Sequence, residues 1–435
     1  MRNFAWQHPR DQIVETMARI YAHDMTTTSG GNLSIRDEKE GVWISPARVD
    51  KGRLRAEDVV RVSSGGEAEG LHPPSSEFPF HRAIYEARPD VGAIIHAHPG
   101  ALVSFSMCGQ VPDTRVFPET YALCGKPLLA PYALPGSQAL GAKIASAFSD
   151  KTRPKCVVLE NHGVVVAGKD MAEAFTAFEA LEFAAATLLH AKKLGEPKVL
   201  ESKEKPKGGG ASVFRVLPEA EWDGRKVSNL ERERRKEVCE FVRRAYDHRL
   251  VTSGWGSFSA RVGEEAFVIT PRHLDRANLW AEDLVYVEGG CFEKGRQPSR
   301  AVSLHEAVYR AHPEIGAIVN ALPLHASAFS LSDERLDTKT IPESYVFLKE
   351  VNWFSFKEQG EKGEVAARKL SVSQPAAVLE HNGVLVAGRS VLDAFDRLEI
   401  LESTAMAILR CQTLGPVSKM TEDMTRELEE AFGIV

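Results

Sequence analysis

The chain has 435 residues, 43% hydrophobic and 26% charged, ordinary usage for a folded protein that excludes global disorder and collagen-like structure. At about 150 residues per domain, this length predicts two or three domains with enough chain to bury a core. Lys and Arg number 54 against 60 Asp and Glu, a net charge of −6, so no broad basic surface is expected for a nucleic-acid backbone or an anionic membrane to bind.

The opening MRNFAWQHPRDQ lacks the apolar stretch of a secretion signal, and no later segment approaches the roughly 20 apolar residues of a membrane span. Cys108, Cys124, Cys156, Cys239, Cys291 and Cys411 form no CxxC pair, which fits a cytoplasmic protein with small apolar core cysteines. In chain order, an amphipathic helix is predicted from Arg10 to His23. A turn of small residues, Thr26 to Asn32, leads into an alternating strand from Asn32 to Arg36 and then the strand Val42 to Ser45. A helix from Glu77 to Arg88 stops before Pro89. The apolar run Val91 to His98, bounded by Gly92 and Pro99, suits a strand buried on both faces. CVVLENHGVVVAG reads as a hairpin, and the segment from Asp170 onward as a long helix. Near residues 201 to 212, ESKEKPKGGGAS combines alternating charge, Pro206 and Gly208 to Gly210, the composition of a linker.

The two sides of that linker match. PPSSEFPFHRAIYEARPDVGAII (73 to 95) aligns with QPSRAVSLHEAVYRAHPEIGAIV (297 to 319) at a constant offset of 224, pairing His81 with His305, Tyr85 with Tyr309 and Gly92 with Gly316. PETY from Pro118 meets PESY from Pro342 at the same offset, and LENHGVVVAG from Leu159 meets LEHNGVLVAG from Leu379 at 220. The sequence is one α/β fold written twice. Residues 1–200 are expected to be the first domain, 201–227 a linker and 228–435 the second domain.

Three histidines fall at strand ends in the first copy. His96 and His98 are two apart, so a strand points both to one face. With His162 from a neighbouring strand they make a three-imidazole face with a fourth position open, the ligand count of catalytic zinc. HxH alone is weak and is often structural. Upstream, Pro74–Ser75–Ser76–Glu77 precedes a helix, where hydroxyls and free N–H groups suit an anion such as phosphate. An N-cap role for Ser75 or Ser76, with Glu77 favouring the helix dipole, is the competing reading.

The order SGGNLS (Ser29 to Ser34), Ser45–Pro46, PSSE, HAHP (His96 to Pro99) and NHG (Asn161 to Gly163) resembles the class II aldolase/adducin family, whose best-known enzyme is fuculose phosphate aldolase. The likeness covers about residues 10–195 intact and 228–415 in degenerate form. It implies two tandem α/β/α layered domains, each with a central mixed, mainly antiparallel sheet. It further implies that His96, His98 and His162 hold one Zn2+, with Mn2+ or Co2+ as alternatives, that Glu77 is the acid/base carboxylate, and that Asn32, Ser75 and Ser76 contact phosphate. Family epimerases usually carry Asp at that carboxylate, so Glu77 favours C–C cleavage. Where many relatives have glycine after the Ser/Thr-Pro step, the chain reads SPARVDKG, placing Arg48 beside Ser45 as a candidate hold on phosphate or carboxylate. No clear counterpart of the aldolase tyrosine from a neighbouring subunit is found; Glu119 lies roughly there and is a candidate second acid/base group.

Transferred to the second copy, Glu77 becomes Ala301, His96 Asn320, His98 Leu322 and His162 Asn382, while Asn32 faces Ser257 after a one-residue gap. No catalytic metal is expected there. The copies are expected to pack as pseudo-equivalent subunits, and two chains to form a homodimer with pseudo-tetrameric symmetry. The favoured function is a zinc-dependent aldolase cleaving a small phosphorylated ketose or related hydroxy-keto acid. Decarboxylase, dehydratase or epimerase chemistry at the same site is the alternative, and a non-catalytic adducin-like interaction module a third.

Overall fold

The computed structural model describes residues 4–38, 41–201, 217–222, 225–359 and 363–433. They form two compact units, up to Ala186 and from Thr187 onward. The linker glycines Gly208 to Gly210 lie outside the described residues.

The first unit carries an eight-stranded sheet of β1 (Asn32–Arg36), β2 (Val42–Ile44), β3 (Val60–Val62), β4 (Ala68–Glu69), β5 (Ala93–Ala97), β6 (Leu128–Ala130), β7 (Cys156–Leu159) and β8 (Gly163–Gly168). The spatial order is β4-β3-β2-β1-β5-β8-β7-β6. Every pairing is antiparallel except that of β6 with β7. The helices are α1 (Pro9–Ala22), α2 (Phe78–Ala87), α3 (Gly100–Met107), α4 (Pro118–Cys124), α5 (Gln138–Phe148) and α6 (Met171–Ala191). Phe80, Ile84 and Tyr85 of α2 and Leu140, Ile144 and Phe148 of α5 pack on Val42, Ile44, Val60, Ile94, Val157 and Val165, so these two helices cover one sheet face. Burial of that many large apolar side chains, at about 1.5–3 kcal/mol each, is what holds the layer.

This packing fixes the register the site needs. β1 pairs with β5 so that Asn32 stands opposite His96 and Ser34 opposite Ile94. Alternation along each strand then puts Asn32, Ser34, Ile94 and His96 on the face that α2 covers.

The second unit repeats the plan with β9 (Glu219–Ala220), β10 (Ser257–Arg261), β11 (Ala266–Ile269), β12 (Val285–Glu288), β13 (Cys291–Glu293), β14 (Ala317–Ala321), β15 (Asn352–Phe354), β16 (Ala376–Leu379) and β17 (Val384–Gly388). Its order, β15-β16-β17-β14-β10-β11-β12-β13-β9, is the first sheet's with β9 added at one edge. Helix α7 (Asn229–Asp247) stands where α1 does, and α8 (Val302–Ala311) where α2 does. Part of the segment expected as linker is ordered here: Leu217 is buried in this core and β9 pairs parallel with β13. Among the described residues no helix is long and apolar enough to cross a membrane.

Candidate metal centre

His96 leaves β5 from a fully buried position, and His98 follows just past the strand, which ends at Ala97, one residue short of the limit expected from sequence. His162 sits in the turn between β7 and β8, after Asn161, whose φ of 54° lets the chain reverse. The ligand nitrogens of His96, His98 and His162 lie within 4.8 Å of one another, and no second such group of three occurs among the described residues.

The ring orientations are held from outside. His96 Nδ1 lies 3.0 Å from the Val164 carbonyl oxygen, which can only accept, so Nδ1 carries the proton and Nε2 turns its lone pair inward. That Nε2 faces His98 Nε2 at 3.1 Å. Two glycines clear room for the His98 ring: a Cβ at Gly30 would meet Nδ1 at 2.9 Å, and one at Gly163 would meet Cδ2 at 2.7 Å. Burial and the neighbouring His96 push the His98 pKa down to about 3, and burial lowers that of His162. Three imidazoles whose ring nitrogens converge, with burial favouring the neutral form of His98 and His162, are a donor set that suits a divalent cation, so the residues fit a metal.

Glu77 caps α2 and is 8% exposed. Its Oε2 accepts from Asn32 Nδ2 at 2.8 Å and lies 3.1 Å from His96 Nε2. Oε1 accepts no hydrogen bond among the described residues and stands 3.6 Å from His162 Nε2. Burial opposes its charge, but His96, Asn32 and His162 together hold the carboxyl well below the usual carboxylate range.

The other expected residues divide. Ser75 Oγ accepts from the Glu77 N–H at 3.3 Å, the local bond that an N-terminal serine makes. Ser76 and Arg48 are exposed, and neither side chain has a protein hydrogen bond among the described residues. Arg48 adopts φ 56°, in the left-handed region that favours glycine. Ser45 is buried and its Oγ accepts from Leu33 N at 3.1 Å, tying β2 to β1. The Asn32 carboxamide is engaged by Glu77 and, through Oδ1, by His81 Nε2. Glu119 stands in the first turn of α4.

Sequence reasoning missed His81, Ser34 and Tyr85. Ser34 Oγ lies 2.7 Å from His81 Nδ1 and 2.9 Å from Tyr85 Oη. The signal was present: all three recur in the second copy as Ser259, His305 and Tyr309, although every ligand there is lost. It also missed Lys51, a buried cation whose Nζ donates to the Pro46 carbonyl at 2.5 Å.

A family model described as "Class II Aldolase and Adducin N-terminal domain" matches residues 11–189 and again 236–409. The chain is 33% identical over 202 residues to a 5-deoxy-D-ribulose 1-phosphate aldolase of Bacillus thuringiensis serovar kurstaki, covering 46% of this chain and 92% of that protein. It is 33% identical over 178 residues to a 3-oxo-tetronate 4-phosphate decarboxylase of Haemophilus influenzae, covering 40% of this chain and 83% of that one. A solved structure of L-fuculose 1-phosphate aldolase matches 45% of this chain and 92% of that chain at 30% sequence identity, with a TM-score of 0.42. The chain belongs to the class II aldolase and adducin family and is an aldolase-type lyase of it.

Proposed function

We propose that the first repeat is a zinc-dependent aldolase that cleaves a small phosphorylated ketose or a related hydroxy-keto acid. The observation that carries this reading is the convergence of His96, His98 and His162 beside Glu77. A divalent ion held by three imidazoles supplies Lewis-acid stabilisation of the negative charge that develops when a C–C bond beside a carbonyl breaks. Glu77 carries the proton at Oε1, the oxygen with no hydrogen bond among the described residues, while Asn32 holds Oε2 still. Exposed Ser76 and Arg48, with Ser75 behind them, receive the anionic group of the substrate. Asn32 is assigned here to the carboxylate rather than to the phosphate. Residues 1–200 are the catalytic domain in this reading, and 228–435 a domain that binds no such ion.

Decarboxylation at the same site is the second reading, favoured by the similarity to a 3-oxo-tetronate 4-phosphate decarboxylase. Metal analysis of the purified chain followed by a panel of phosphorylated ketoses and hydroxy-keto acids tests both. About one zinc per chain and cleavage of the substrate into an aldehyde and a second carbonyl compound support the aldolase, and carbon dioxide release supports the alternative. Full turnover in a metal-free preparation refutes both.

A further inference from the structure

Helix α2 and strand β1 run side by side with matching steps. Glu77, His81 and Tyr85 are spaced by four residues, about 6 Å of helix per step. Asn32 and Ser34 are spaced by two, about 6.7 Å of strand. The side chains therefore interleave in the order Tyr85, Ser34, His81, Asn32, Glu77, each bonded to the next.

The direction of each bond follows from chemistry. The ionised Glu77 can only accept, so Asn32 turns Nδ2 to it and Oδ1 away. Oδ1 also only accepts, so the proton of His81 is on Nε2 and its Nδ1 accepts from the Ser34 hydroxyl. With its own hydrogen committed, Ser34 Oγ accepts from Tyr85 Oη–H. All these residues but Glu77 are at most 4% exposed, and a chain of aligned donors in such surroundings polarises cumulatively.

Resting on the reading of Glu77 as the proton carrier, we propose that Tyr85, Ser34, His81 and Asn32 are positioning residues, a one-way hydrogen-bond chain that pins Glu77 Oε2 and leaves Oε1 to exchange the substrate proton. The second repeat supplies the comparison. Ser259 Oγ lies 2.7 Å from His305 Nδ1 and 2.8 Å from Tyr309 Oη, so the far part of the chain is intact. Ser257 replaces Asn32 and Ala301 replaces Glu77, and neither Ser257 Oγ nor His305 Nε2 has a protein hydrogen-bond partner among the described residues. The fold thus retains the Tyr–Ser–His segment without a carboxylate, and the Asn32 link is what couples that segment to the proposed chemistry.

His81→Leu and His305→Leu remove equivalent rings from the two repeats. His81→Leu is expected to lower kcat on the order of 10- to 100-fold, the range carried by outer partners of active groups, with KM and zinc content kept. His81→Gln, whose amide can both donate to Asn32 and accept from Ser34, recovers most of that loss. His305→Leu lowers the melting temperature but leaves kcat unchanged. An unaltered kcat in folded, zinc-loaded His81→Leu overturns the proposal, as does an equal kcat loss in His305→Leu. Nitrogen-15 spectra of the histidines decide it without turnover, and also if His81→Leu does not fold. Glu77→Gln is expected to shift the His81 Nε2–H signal but not that of His305, in metal-free and zinc-loaded protein alike, and an unmoved His81 signal overturns the chain. Absence of turnover on every substrate would instead sink the aldolase reading while leaving this spectroscopic result standing.

Discussion

Replacing Gly163 by alanine probes whether the His98 ring is held by space. The new Cβ would lie 2.6 Å from the Ala97 carbonyl oxygen and 2.7 Å from His98 Cδ2, roughly 0.7 Å short of ordinary contact. The carbonyl belongs to the end of β5, where Ala97 pairs with Val164 of β8, so relieving both contacts requires the β7–β8 turn and the His98 ring to shift together. Gly163 is not among the glycines with positive φ, so the backbone itself tolerates alanine and the effect is one of crowding. Overpacking of this kind costs about 1–3 kcal/mol, which for a repeat of this size lowers Tm by roughly 2–4 °C per kcal/mol. Displacing one of three ligands should also weaken zinc binding by at least the roughly 10- to 100-fold seen when a ligand's support is lost. Gly383→Ala in the second repeat is the control: its Cβ would lie even nearer the Ala321 carbonyl, and its φ is +75°, so Tm should fall further while zinc affinity stays constant. Zinc titration with a competing chelator, run beside calorimetry, reads both quantities. A Gly163→Ala protein with unchanged zinc affinity would show that the ring is not confined by this glycine.

His96→Asn should fold with a stability change within about 1 kcal/mol, because asparagine can keep the bond to the Val164 carbonyl, yet bind no zinc; denaturant melts and metal analysis check both halves. Zinc at 100 times its Kd should stabilise the first repeat by about 2.7 kcal/mol and His96→Ala not at all, read as the Tm difference with and without chelator. Burial brings the Lys51 pKa from 10.5 down to about 8. The unfolded chain therefore binds more protons between those values, and stability should rise with pH across that window by up to about 3 kcal/mol. That contribution should vanish in Lys51→Met, and equal slopes in the two proteins would contradict it. Light scattering should give a homodimer, and a clean monomer would reject the paired assembly.

Long periodic segments were legible in the sequence. Strand β1 begins and ends where alternation put it, at Asn32 and Arg36, and α1 lies within one residue of its expected limits. Strands β3 and β4, three and two residues long, were not read, because so few residues cannot display a period. Nor were α3 to α5, of 8, 7 and 11 residues, which carry no strong start signal in common. At the site, the histidines and Glu77 could be named from motifs, and their mutual distances follow from the β1–β5 register and the β7–β8 turn. What a motif could not reveal was where the amide of Asn32 points, since that depends on α2 lying against β1, a tertiary fact. Lys51 was hidden for a similar reason. A lysine in DKGR reads as solvated, and only the fold buries it; Arg276 occupies the equivalent place in the second repeat, buried and donating to the Gly256 and Leu274 carbonyls.

The degenerate repeat separates two roles that one histidine combines. His96 uses Nδ1 to hold the β8 backbone and Nε2 to face the centre. Asn320 keeps the first role alone, donating from Nδ2 to the Val384 carbonyl at 2.8 Å. Leu322, 2% exposed, turns the His98 position into core. Asn382 donates to Gln359 Oε1 at 3.0 Å, and Gln359 in turn donates to the Glu380 carbonyl at 2.8 Å, so the His162 position has acquired its own partners. Buried polar groups that have found new partners resist conversion back, since breaking each bond leaves an unsatisfied group costing about 1–3 kcal/mol. Asn320→His would therefore restore one imidazole and its bond to Val384 without creating a centre. Leu322→His would place a ring against core, and Asn382→His would strand Gln359. The replacements at the three histidine positions of the second repeat are thus consolidated by packing and hydrogen bonds, which is why its fold persists without those imidazoles.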